Sequence, residues 1–70
     1  MSEVQAVYAL EPRWSPTRLR AWLKKHNLKP IKAVHRLGTE IRYRIRSPSR
    51  YTHFTTQKLA NGVYLVLGWL

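Results

Sequence analysis

The sequence predicts an α+β domain in which one helix packs on a mostly antiparallel sheet, in the order β-α-β-β-β-β. Three observations lead there. Between Ser15 and Pro30 the apolar residues recur with helical spacing, and both ends of the stretch carry stop signals. Along Ile41-Arg42-Tyr43-Arg44-Ile45-Arg46, apolar and arginine side chains strictly alternate, as an extended strand with one dry face requires. Near the end, Ala60-Asn61-Gly62 separates two β-branched and aromatic runs, a strong hairpin signal.

Taken in order, residues 3–10 put Val4, Ala6, Tyr8 and Leu10 on one face of a first strand, which Glu11-Pro12 ends. Ser15 is a good N-cap and Pro16 suits the first helical position. Leu19, Trp22, Leu23 and His26 then fall at i, i+3, i+4 and i+7, so a helix is expected from Pro16 to about His26. Asn27 suits a left-handed stop, and Pro30 forbids continuation. Lys24 and Lys25 in the last turn complement the macrodipole, whereas Arg18 in the first turn opposes it.

Residues 31–37 and 41–46 read as a hairpin whose loop length decides which side chains share a face. A two-residue loop, Gly38-Thr39, pairs Arg36 with Ile41 and mixes charge into the apolar face. A three-residue loop pairs Leu37 with Ile41, His35 with Tyr43 and Ala33 with Ile45. It gathers Lys32, Arg36, Arg42, Arg44 and Arg46 on the other face, and is preferred because a slip would bury arginines in a domain too small to hide them. Ser47-Pro48-Ser49-Arg50 is a turn, and Tyr51 to Lys58 a strand. The final run, Val63 to Leu70, is apolar on both faces: it lies at the centre of the sheet with the helix on one side, or its second face is covered by another protein or by another subunit, the latter giving a homo-oligomer through residues 63–70.

Residues 1–70 make a single small basic domain, with 13 Lys+Arg against three acids, Glu3, Glu11 and Glu40, and a net charge of +10. The arginines therefore have too few internal partners, and a polyanion is the expected one. Eight of the cations are Arg, whose planar fork grips phosphate bidentately and stacks on bases. Most aromatics, Trp22 and Tyr43 among them, belong to the core, leaving Trp14 and Tyr51, near Arg13 and Arg50, as base-stacking candidates.

Other chemistry finds little support. The three carboxylates are far apart in sequence, there is no cysteine, and no Gly-rich phosphate loop occurs. His26, His35 and His53 lie on different elements without ligand spacing, so no catalytic residue, cofactor or metal is expected. Met1-Ser2-Glu3 opens no signal peptide and the run Val63 to Leu67 cannot span a bilayer. The expectation is a soluble, intracellular or virion protein, neither secreted nor membrane-bound, located in the cytoplasm or nucleus of a host cell if viral.

From Trp14 to Gly68 the chain resembles a small domain of bacteriophage head-assembly proteins and of freestanding short proteins of large DNA viruses. The resemblance rests on Arg20-Ala21-Trp22-Leu23-Lys24-Lys25-His26 with Lys29-Pro30, on Tyr43-Arg44-Ile45-Arg46-Ser47-Pro48, and on Phe54-Thr55-Thr56-Gln57-Lys58-Leu59 leading to Gly62 and an apolar strand ending at Gly68. It implies a viral setting and no catalytic role. Phage copies usually carry acids at the start of the helix, where this chain has Pro16-Thr17-Arg18, so the strong basicity is this chain's own.

Two functions follow as expectations. The first is a non-enzymatic nucleic-acid-binding protein, with DNA favoured over RNA, that grips phosphates largely independent of sequence through Lys32, Arg36, Arg42, Arg44 and Arg46, aided by Arg18, Lys24 and Lys25. About five neutralised phosphates on duplex DNA would give a log K against log salt slope near −4.5. The second is a minor virion adaptor whose last strand packs on a neighbour while its basic face meets an acidic coat-protein surface.

Overall fold

A computed structural model describes residues 1–70. The chain runs β1 (Ser2–Leu10), α1 (Pro16–Lys25), β2 (His35–Leu37), β3 (Glu40–Arg44), a 3-10 turn (Pro48–Arg50), β4 (His53–Lys58) and β5 (Tyr64–Trp69). This is the α+β order read from the sequence. The strands form one antiparallel sheet ordered β2-β3-β1-β5-β4, so β1 is its middle strand and a hairpin flanks it on each side.

The helix begins and ends where its caps dictate. Ser15 is extended and its Oγ accepts the Arg18 N–H at 3.1 Å. At the other end Asn27 is left-handed (φ 58°), which lets the Leu28 N–H reach the Leu23 carbonyl at 2.9 Å and the Asn27 N–H reach that of Lys24 at 3.2 Å. Leu19 and Leu23 are fully buried against Val7, Ala9, Ile41, Tyr43 and Ile45, with Trp14 and Val63 completing the core. Each such leucine contributes about 1.5–3 kcal/mol of transfer free energy. One helix covers only one side of five strands, and the second sheet face stays open.

Two register expectations are corrected. In β1 the pairing with β5 slips between Val4 and Ala6, leaving Gln5 as an extra residue. The Gln5 carbonyl accepts from both the Ile45 and Arg46 N–H groups, at 2.8 and 3.0 Å. Val4, Val7 and Ala9 consequently pack toward the helix, while Ala6, Tyr8 and Leu10 lie on the open face. Strict alternation from Val4 missed this because a bulge inverts the face of everything beyond it.

In the β2-β3 hairpin, Leu37 pairs with Glu40, Arg36 with Ile41 and His35 with Arg42, which is the two-residue loop. Gly38 has φ +60°, as the first central position of such a turn requires. The objection to this register was buried arginine. It does not apply, because β2 is an edge strand whose three residues are all exposed beyond the reach of α1. Arg36, on the helix side of the sheet, reaches solvent and the Glu11 carboxylate at 2.7 Å.

The last strand is central, hydrogen-bonded to β1 on one side and β4 on the other. Val63 and Val66 are buried, Trp69 half-buried and Leu70 exposed. Both of its backbone edges are paired, so it offers no free edge to a partner strand.

Candidate nucleic-acid interface

Side chains on the open face follow from the pairing. His35, Arg42, Tyr8, Tyr64 and Lys58 occupy directly paired positions on β2, β3, β1, β5 and β4, a single row across all five strands. At about 4.8 Å between neighbouring strands this row is about 19 Å long. The Tyr8 and Tyr64 rings stack with centroids 4.7 Å apart and planes within 6° of parallel. The Arg42 guanidinium lies 4.9 Å from the Tyr8 ring, and the Lys58 ammonium 5.7 Å from that of Tyr64. Ring faces thus hold one cation at each end of the stack, which reduces the side-chain entropy lost when an anion binds.

The adjacent row is Arg44, Ala6, Val66 and Thr56. Its small central residues make a trough of about 410 Å³ walled by Tyr8, Arg42, Arg44 and Phe54. Phe54 is 45% exposed, a large apolar side chain in open view on the trough wall. Toward the sheet edge a second hollow of about 330 Å³ is lined only by Lys32, His35, Arg42 and Arg44.

Two of the three carboxylates are engaged away from the row or at its margin, and the third, Glu40, binds Arg42 within it. Glu11 holds Arg36 at 2.7 Å, Glu40 holds Arg42 at 3.1 Å, and Glu3 meets Arg50 and Arg46 at 3.5 and 3.9 Å. These pairs are partly solvated, so each is worth at most about 1 kcal/mol and yields readily to a competing anion. The other nine of the thirteen cations meet no carboxylate. Arg44 is half-buried, makes no ion pair and aims into both hollows.

The eight residues expected to act together are divided. Lys32, Arg42 and Arg44 converge on the open face. Arg46 turns back at the bulge and donates to the Val4 carbonyl at 2.7 Å, so it braces the backbone. Arg36 sits on the helix side of the edge strand. Arg18 lies 4.3 Å over the Trp14 ring and donates to the Arg13 carbonyl, while Lys24 and Lys25 belong to the helix layer. Sequence reasoning missed Lys58, although alternation along residues 53–58 groups it with Phe54 and Thr56.

The aromatic candidates are also corrected. Trp14 is buried and its Nε1 donates to the Asn61 carbonyl at 3.0 Å, tying the last hairpin to the core. Tyr51 lies flat against Gly68, where a Cβ would come within 2.4 Å of its ring. Its hydroxyl donates to Glu3 at 3.0 Å. Burial, then the Glu3 carboxylate, raise its pKa above the ordinary 10.0, with Arg50 and Arg46 opposing. Tyr51 therefore lies packed down at one end of the open face, and Tyr8, Phe54 and Tyr64 are the aromatics that this face presents instead.

The histidines stand apart, His26 stacked on Trp22, His35 beside Arg42 and His53 stacked on Trp69, and no group of three potential metal ligands forms. No helix is long and apolar enough to cross a membrane. No protein-family model, curated protein or solved structure matches this chain.

Proposed function

We propose that this protein binds nucleic acid on its open sheet face, largely independent of base sequence and without catalysing a reaction. The observation that carries the reading is the row Arg42-Tyr8-Tyr64-Lys58 with Arg44 and Lys32 beside it. Together they form a cationic surface, about 14 Å long along that row, that holds one acid, Glu40, bound to Arg42. Lys32, Arg42, Arg44 and Lys58 take phosphates, the tyrosine hydroxyls can donate to phosphate oxygens, and Phe54 offers a ring to an unpaired base. That ring favours single strands over a duplex, whose bases are already stacked. A viral setting is proposed on the sequence resemblance, and DNA over RNA as the natural partner is part of the same proposal.

Four phosphates on a single strand give a log K against log salt slope near −2.8. Anisotropy titrations of random single strands and duplex, DNA and RNA, across a salt series measure it. Lys32→Ala with Arg44→Ala should flatten the slope by about 1.4. Phe54→Ala should weaken single strands by about 1–3 kcal/mol while leaving duplex affinity nearly unchanged. Absence of binding at low salt, or a slope indifferent to loss of Lys32 and Arg44, refutes the proposal.

One observation favours the adaptor reading. Leu10 and Leu37 flank Glu40 on the open face and are 44% and 70% exposed, an apolar pair suited to a protein partner. Replacing both with serine would impair such docking and leave the salt slope on nucleic acid intact.

A further inference from the structure

Between α1 and residues 27–30 runs a groove of about 740 Å³, larger than either hollow of the open face. Its floor is apolar, formed by Ala21, Leu28, Pro30 and the Tyr43 ring, and its rim carries Arg20, Lys24 and Lys29. None of these three cations meets a carboxylate, and no acid lines the groove. Arg20 and Lys24 are one turn apart on the helix, where like charges repel. The uncompensated charge makes the groove complementary to an anion.

This groove belongs to the helix layer, yet it is not isolated from the open face. Beyond Lys29 the chain passes Pro30 and reaches the sheet edge, where the Ile31 N–H donates to the Arg44 carbonyl at 2.9 Å. The next residue, Lys32, already lines the hollow with His35, Arg42 and Arg44. Three residues of chain cover at most about 11 Å, so the last cation of the groove and the first of the open face are close neighbours around the edge. Ile31, between them, is 54% exposed. The shortness of β2, which begins only at His35, leaves this passage outside the strand pairing.

We propose that a single strand bound on the open face continues around the β3 edge past Ile31 and into the groove, where Arg20, Lys24 and Lys29 hold its phosphates and the apolar floor receives a base. The inference rests on the open-face reading and extends it to a track over two sides of the molecule. A duplex cannot follow. Its persistence length of about 150 base pairs forbids turning around a body whose smallest extent is 22 Å.

The test compares thymidylate strands of about five and about twelve nucleotides, lengths within the range of single-strand sites. Three added phosphate contacts should make the salt slope of the longer strand steeper by about two. Arg20→Gln with Lys24→Gln and Lys29→Gln should return the long-strand slope to the short-strand value and leave the short strand unaffected. In the wild-type protein, the amide resonances of Ala21 and Leu28 should shift with the long strand and not with the short. Equal slopes for the two lengths, or a triple variant that weakens both alike, overturn the track while the open-face reading stands. Failure of the short strand to bind removes both.

Discussion

Replacing Gly68 with alanine tests the packing that closes one end of the open face. The added Cβ would lie 2.4–2.7 Å from three carbons of the Tyr51 ring, well inside any real contact. Gly68 has an unexceptional backbone within β5, so the cost is steric, not conformational. The ring must move, and three interactions move with it: burial of Tyr51, its edge-to-face contact with Phe54 at 5.8 Å, and its hydroxyl bond to Glu3 at 3.0 Å. Overpacking costs about 1–3 kcal/mol and the aromatic pair about 0.5–1.5 kcal/mol. Against these, exchanging glycine for alanine within a strand returns about 0.5–1 kcal/mol. The net is a destabilisation of about 2 kcal/mol, which for a chain of this size lowers Tm by about 8–16 °C. Thermal and urea melts of Gly68→Ala, of Tyr51→Ala and of the double variant form a cycle. With Tyr51 removed, Gly68→Ala should be neutral or slightly stabilising. Equal destabilisation in both backgrounds, or none in the wild-type background, would show that the ring does not rest on Gly68.

Arg44 and Arg46 look equivalent in sequence, yet their variants should separate. Arg44→Ala flattens the single-strand salt slope by about 0.7 with a melting temperature near wild type, whereas Arg46→Ala lowers the melting temperature through its lost bond to the Val4 carbonyl and leaves the slope unchanged. Gly38→Ala meets no atom within 4 Å but must hold φ +60°, so urea melts should show a loss of about 1 kcal/mol, greater than at an unconstrained turn position. Because folding raises the Tyr51 pKa above its unfolded value of 10.0, the folded state holds that proton more tightly. The resulting stability is fully present below pH 10 and is lost as pH rises through the folded pKa, so between pH 10 and that folded pKa the stability of Tyr51→Phe should fall less steeply than that of wild type.

Much of the fold was legible because its signals are local. Ser15, Pro16 and Asn27 mark the helix by their own backbone preferences and caps, and the period of Leu19 and Leu23 names its buried stripe. Ile41, Tyr43 and Ile45 all face the core as their alternation requires. The net charge and the scarcity of acids were likewise plain, and they define the class of partner proposed.

What tertiary structure decided was which residues share a surface. The extra residue Gln5 inverts the faces of β1, and nothing in its own chemistry announces a bulge; it shows only in the pairing with β5 and in the Ile45 and Arg46 N–H groups that its carbonyl accepts. The hairpin register depended on whether α1 reaches β2, since an arginine opposite Ile41 is costly beneath a helix and harmless at an uncovered edge. Tyr8 and Tyr64 lie 56 residues apart in sequence and meet only because β1 lies between β3 and β5. A sequence determines period, caps and charge residue by residue. Face, register and the company each arginine keeps are set by contacts between distant segments, and that is why the sequence alone identified the cations and the fold decided where each of them points.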